Sequence, residues 1–154
     1  MAEPAYLIGA YGRSLATWGA PDMVDAPTGV AIWEHDHDGL VYAVPARTVD
    51  DAVADFVIAQ DTVRMRRGIP LTVLHDWSAC VGYTPSARAR LTRHLLGNAQ
   101  AYERVAIAVQ PAGRLLSLGV QLAASSMKLA GVSLRLYPRL EVALRALHLH
   151  RLGG

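Results

Sequence analysis

The chain has 154 residues, fifteen Lys or Arg against thirteen Asp or Glu, a net charge of +2 and one cysteine. That length fits one domain able to bury roughly two thirds of the surface its unfolded chain exposes, and a lone Cys80 excludes an internal disulfide framework. The small net charge, with Lys128 the only lysine among arginines, argues against nucleic acid as a partner, and no stretch is apolar for the ~20 residues a membrane span needs.

The N-terminal segment carries no basic, apolar, small-residue order of the kind that directs secretion, so a reducing cytoplasm is the expected location. Residues 1–29 are punctuated by Gly9, Gly12, Gly19, Pro21, Pro27 and Gly29 and read as an irregular arm, docked in part through Tyr6, Leu7, Ile8, Tyr11 and Trp18. Val30 to Glu34 and Leu40 to Val44 read as two antiparallel strands around His35-Asp-His-Asp-Gly39, where Asp38-Gly39 suits a hairpin turn. His35 and His37 share a face in an extended segment, but two ligands do not make a metal site and a solvated turn explains them.

Thr48 is placed to cap a helix, with Asp51 three positions on. Val49, Ala52, Val53, Phe56, Val57, Gln60 and Val63 then form one stripe, leaving Asp50, Asp51, Asp55 and Asp61 outside, before Arg64, Arg66, Arg67 and Gly68. Leu71 to Trp77 reads as the first parallel strand. Thr84-Pro85 opens a second helix through Leu91 and Leu95 to Gly97-Asn98, with Arg88, Arg90 and Arg93 on its outer face. Val105 to Val109 is the second parallel strand, Gln110 to Gly131 a third helix apolar nearly all round, and Val132 to Tyr137 the third. A short helix from Pro138 through Leu147 follows, and residues 150–154 fray. The alternation predicts an α/β domain over 30–149, with a mixed, mainly parallel sheet of about five strands flanked by helices.

That order resembles the STAS-like superfamily of anti-sigma-factor antagonists. Ala101-Tyr-Glu-Arg-Val-Ala-Ile-Ala-Val109, Gly131-Val-Ser-Leu-Arg-Leu-Tyr137 and Leu140-Glu-Val-Ala-Leu144 are similar to the C-terminal half of SpoIIAA-like bacterial proteins, and the likeness runs from Val30 to Leu149. It implies a bacterial regulatory module with a protein partner, and a phosphorylatable serine at the helix start matching Gly82-Tyr-Thr-Pro-Ser86. This chain has Thr84 and Ser86 there in place of Asp-Ser-Ser-Gly, and a capping role for Thr84 is the simpler expectation. The likeness of related proteins to lipid carriers implies a second use, a small apolar ligand held between helix and sheet.

In a parallel sheet, ligands meet the crevice beyond the carboxyl ends of the strands. The residues expected there are His75, Asp76, Trp77, Ser78, Gln110 and Tyr137, beside the helix starts at Thr84 and Gly113 and the cation Arg114. His75 and Asp76 form an acid/base pair only if the strand ends between them, because neighbours on a strand face opposite ways. Cys80 has no base near it in sequence. No phosphate-cradling loop, dinucleotide fingerprint or zinc spacing occurs, so no cofactor and no metal is expected.

The expected function is therefore a non-enzymatic interaction module recognising a partner through Thr84, Ser86, Arg88, Arg90 and Arg93, with homodimerisation allowed by the 52% hydrophobic content. The alternative is a binder of a small apolar or amphipathic carboxylate ligand, with helix Leu115 to Leu129 lining the pocket and Arg114 holding the head group. An enzyme using His75 and Asp76 is the third.

Overall fold

The computed structural model describes residues 20–35, 39–108, 134–137 and 142. Six strands form the main sheet: β1 (Met23–Val24), β2 (Ala31–His35), β3 (Gly39–Ala43), β5 (Leu71–Asp76), β7 (Tyr102–Ala108) and β8 (Leu134–Tyr137), in that spatial order. Strands β1, β2 and β3 run antiparallel, while β3, β5, β7 and β8 are parallel. The expected mixed, mainly parallel sheet is present, with β1 as a sixth strand at its edge. That strand comes from the arm segment: Asp25 accepts from the backbone N–H and hydroxyl of Thr28, and Gly29 at φ 76° turns Met23 and Val24 back onto Ile32 and Ala31.

A second, two-stranded parallel sheet pairs β4 (Thr48–Val49) with β6 (Gly82–Tyr83). It corrects the expected start of the first helix, α1 (Asp51–Met65). Thr48 is extended and paired with Gly82, so it cannot cap; Asp50 does, its carboxylate accepting from the Val53 N–H at 3.1 Å. The second helix, α2 (Pro85–Gly97), begins as expected: Thr84 accepts from the Ala87 N–H at 3.1 Å, and Pro85 stands where no backbone donor is needed. Because β4 and β6 end in register, the two helices start side by side, and Arg90 reaches across to Asp51 and Asp55.

The register assigns each sheet residue to a face. Ile32, Tyr42, His75, Ile107 and Leu136 share one row, and Ala31, Ala43, Asp76, Ala108 and Tyr137 the other. Helices α1 and α2 pack on the first face, where Val53, Val57, Ala87 and Leu95 join Val73, Val105 and Ile107 in the core. Trp33, Val41 and Leu74 on the opposite face are buried as well, so both faces of the central strands are covered, as long apolar runs in parallel strands require.

Three positions of α1 differ from expectation: Ala52, Val63 and Asp61. Ala52 and Val63 are exposed, the latter at 53%, because the inward face runs through Val53, Val57 and Asp61 to Met65. Asp61, expected outside, is 1% exposed beneath the sheet, where two tyrosine hydroxyls satisfy it. The expected third helix, the last helix and most of the arm lie outside the described residues. No helix of the described residues is long and apolar enough to cross a membrane.

The cap assignment predicts that Asp50→Ala costs about 1 kcal/mol of unfolding free energy in urea titrations, and Thr48→Ala less than half of that. The reverse order would return the cap to Thr48.

Candidate functional site

Between α1, α2 and the sheet lies a cavity of about 40 Å³, room for a few waters as it stands. Val57 and Asp61 come to it from α1, His75 and Trp77 from the end of β5, Leu91, His94 and Leu95 from α2, and Ile107 and Leu134 from β7 and β8. Tyr83 and Arg88 complete it at the β6–α2 corner. The lining is largely apolar, with a few converging polar groups, which is the general composition of a small-molecule site.

The polar floor is built on Asp61. Val53, Val57 and Asp61 are four apart on α1, so the helix that buries the two valines delivers the carboxylate to the same face. Tyr42 of β3 donates its hydroxyl to Oδ1 and Tyr102 of β7 donates to Oδ2, both at 2.5 Å. Since the Tyr102 proton goes to Asp61, His94 Nε2 is the donor in its 2.8 Å contact with the Tyr102 oxygen, and His94 Nδ1 accepts from Asn98 at 3.3 Å. The Asn98 amide also donates to the His94 carbonyl at 2.8 Å, which fixes its orientation. A directed chain thus runs Asn98, His94, Tyr102, Asp61, with Tyr42 entering from the other side.

Burial pushes the Asp61 carboxyl up to about 6, against the opposing pull of the Tyr102 and Tyr42 hydroxyls and the Arg64 charge. Burial, with Asp61 beside them, raises both tyrosine hydroxyls well above their ordinary value. His94 is held below its ordinary value by partial burial. His75, 6% exposed, stacks on Tyr42 at 5.3 Å and makes no hydrogen bond to a described residue. Burial, then the charge of His94, holds it down at about 4, so near neutral pH it is an uncharged imidazole lining the cavity.

The expected site residues divide between the two faces. His75 and Trp77 lie on the cavity face, while Asp76 faces the other way and accepts from the Ser78 N–H at 3.1 Å and its hydroxyl at 2.6 Å. Strand β5 runs through both residues, so His75 and Asp76 are not brought together. Tyr137 shares the Asp76 row, away from the cavity. Gln110 and Arg114 lie outside the described residues. Thr84 caps α2, and Ser86 donates to Asp51 at 3.0 Å. Arg90 is paired with Asp51 and Asp55, Arg93 is exposed on α2, and Arg88 lies over the Tyr83 ring at 5.9 Å. Burial pushes the Cys80 thiol up to about 11, which keeps it a poor nucleophile. Among the described residues no three His, Cys, Asp or Glu side chains are grouped as a metal ion requires.

Tyr42, Asp61, His94 and Tyr102 were not singled out in sequence. The available signal was spacing: position 61 continues the inward series 53, 57, and a tyrosine within each of two apolar strands can present a hydroxyl beneath the sheet.

No family model matches the chain, and no curated protein matches it significantly. Among solved structures it is similar to an uncharacterised protein of the DUF3478 family from Shewanella loihica PV-4, described as having a SpoIIAA-like fold. The TM-score is 0.51 at 16% identity, over 77% of this chain and 91% of that one. This likeness shows the fold: a SpoIIAA-like mixed α/β domain.

Asp61 and His75 bias stability in opposite directions. The Asp61 carboxyl is higher in the folded state than its ordinary 3.8, so its contribution is present below pH 4 and lost as pH rises through about 6. The imidazole of His75 is lower than its ordinary 6.5, so its contribution is present above pH 6.5 and lost as pH falls to about 4. Each is on the order of 3 kcal/mol. Relative to wild type, His75→Phe is therefore expected to lose stability progressively as pH rises from about 4 to 6, and Asp61→Asn to gain it. Urea titrations at three pH values check both signs; parallel curves for the three proteins would contradict them.

Proposed function

We propose that this chain is a small-molecule-binding α/β domain, taking a mainly apolar or amphipathic carboxylate ligand between the two helices and the sheet. The observation that carries this reading is the cavity itself: a partly open, largely apolar space between α1, α2 and β5, with a 6% exposed imidazole on its wall that has no described hydrogen-bond partner. Among the described residues Asp51 Oδ1 alone is a buried side-chain polar atom without a partner, so the imidazole is not sealed off, and a ligand or water in the cavity can bond it. The enzyme reading is weaker, since His75 and Asp76 lie on opposite faces of β5. Binding does not require the Asp61 chain to move protons; its two tyrosines hold α1, which gives Val57 and Asp61 to the lining.

A second reading, a regulatory module docking a protein partner, is favoured by one feature. Val81, 73% exposed, stands beside the start of α2, where Ser86 is also exposed with its hydroxyl on Asp51. Arg88 belongs to this corner and to the cavity alike.

Intact mass spectrometry of protein purified from its own host tests the first reading. Under native conditions a small-molecule adduct is expected, lost on denaturation, and Leu91→Trp, which fills the cavity from the side of α2, is expected to abolish it. A clean apo mass overturns the reading; a covalent phosphate adduct on that apo mass transfers support to the docking module.

A further inference from the structure

We propose that the ligand is a planar aromatic carboxylate, its ring laid against the His75, Trp77 and Tyr83 wall and its carboxylate on Arg88; the proposal rests on the cavity being a ligand site. Ring contacts run without interruption from Tyr42 to Tyr83. Tyr42 and His75 stack at 5.3 Å and 10°, His75 meets Trp77 at 6.2 Å and 57°, Trp77 meets Tyr83 at 6.4 Å and 37°, and the Arg88 guanidinium lies 5.9 Å above Tyr83. His75, Trp77, Tyr83 and Arg88 all line the cavity.

A wall of ring faces and edges favours a flat aromatic partner, which gains offset and edge-on contacts beyond area burial. A flexible acyl chain gains only area there and gives up rotational freedom as well, and either ligand must widen a space that now holds a few waters. Two charged groups line the cavity, the Asp61 carboxylate, whose oxygens hold the Tyr42 and Tyr102 hydroxyls, and Arg88, so an anion belongs at the Arg88 end. Arg47 is paired with Asp50, Arg64 with Glu34, and Arg90 with Asp51 and Asp55, whereas Arg88 makes no ion pair among the described residues. It is also the only arginine or lysine lining the described cavity. Its place in the first turns of α2 adds the positive end of the helix dipole to its own charge. At the deep end, His75 presents an imidazole without a described partner, suited to a hydroxyl or carbonyl at the far end of the ligand from its carboxylate.

The test is calorimetric titration of the full chain at neutral pH with 4-hydroxycinnamate, cinnamate, methyl cinnamate and decanoate. Expected is tightest binding of 4-hydroxycinnamate, with decanoate about tenfold weaker than cinnamate. Arg88→Gln is expected to weaken both aromatic acids about tenfold while leaving methyl cinnamate unchanged. His75→Phe is expected to erase the preference for the hydroxylated acid over cinnamate. Decanoate binding as tightly as the aromatic acids, or unchanged aromatic affinity in Arg88→Gln, overturns the ligand class while the cavity reading stands. Failure of every probe, with an adduct still present on protein from its host, also overturns the class alone. Failure of every probe with no adduct overturns the cavity reading as well.

Discussion

A carboxylate sealed under a sheet is tolerable only if its oxygens are occupied, and Asp61 meets that condition by holding one hydroxyl from each of two strands. Tyr42 lies on β3 and Tyr102 on β7, on either side of β5, so a single side chain of α1 spans three adjacent strands. This sets where α1 sits over the sheet more narrowly than valines could, because apolar contact is nondirectional and a charge-assisted hydrogen bond is not. The chain of donors through Tyr102 and His94 to Asn98 then ties the end of α2 to the same carboxylate. Both helices and the central strands thus share one electrostatic anchor.

The other ends of the helices are positioned by backbone pairing. Two residues of β4 and two of β6 form a parallel pair immediately ahead of the caps at Asp50 and Thr84, and Val81 and Thr84 add backbone bonds to Arg47 and Val49. With their starts pinned by this small sheet and the Asp61 chain tying the second half of α1 to the end of α2, the helices have little freedom to close over the sheet. The space left between them is the cavity. The helix ends that bound it are therefore fixed, and at about 40 Å³ the space between them must widen before it takes anything larger than a few waters.

Much of this architecture was legible in the sequence, and the exceptions have a common cause. The βα alternation, the Thr84-Pro85 helix start and the Gly97-Asn98 stop follow from local rules that the tertiary structure leaves intact. Asp50 displaced Thr48 as a cap because Thr48 was needed by a strand 34 positions further on, at Gly82, and no local pattern reveals such a pairing. Asp61 was placed outside because polar residues usually face water, yet it stands at an inward position of its helix, and its partners Tyr42 and Tyr102 are 19 and 41 residues away. Of the expected site residues, His75, Trp77 and Arg88 meet in one cavity, while Asp76, Ser78 and Tyr137 belong to the other face. Strand alternation separates the two sets once β5 is seen to extend through Asp76.

The central claim is that Asp61 is a buried carboxylate held between Tyr42 and Tyr102. Carbon-13 titration of side-chain carboxyls in the full chain, with the Asp61 signal assigned by its loss in Asp61→Asn, tests it most directly. The account predicts an inflection near pH 6 that moves higher in Tyr102→Phe, where one stabilising donor is gone. An inflection near the ordinary 3.8 in the wild type, unmoved by that substitution, would mean a solvated Asp61 and would contradict it.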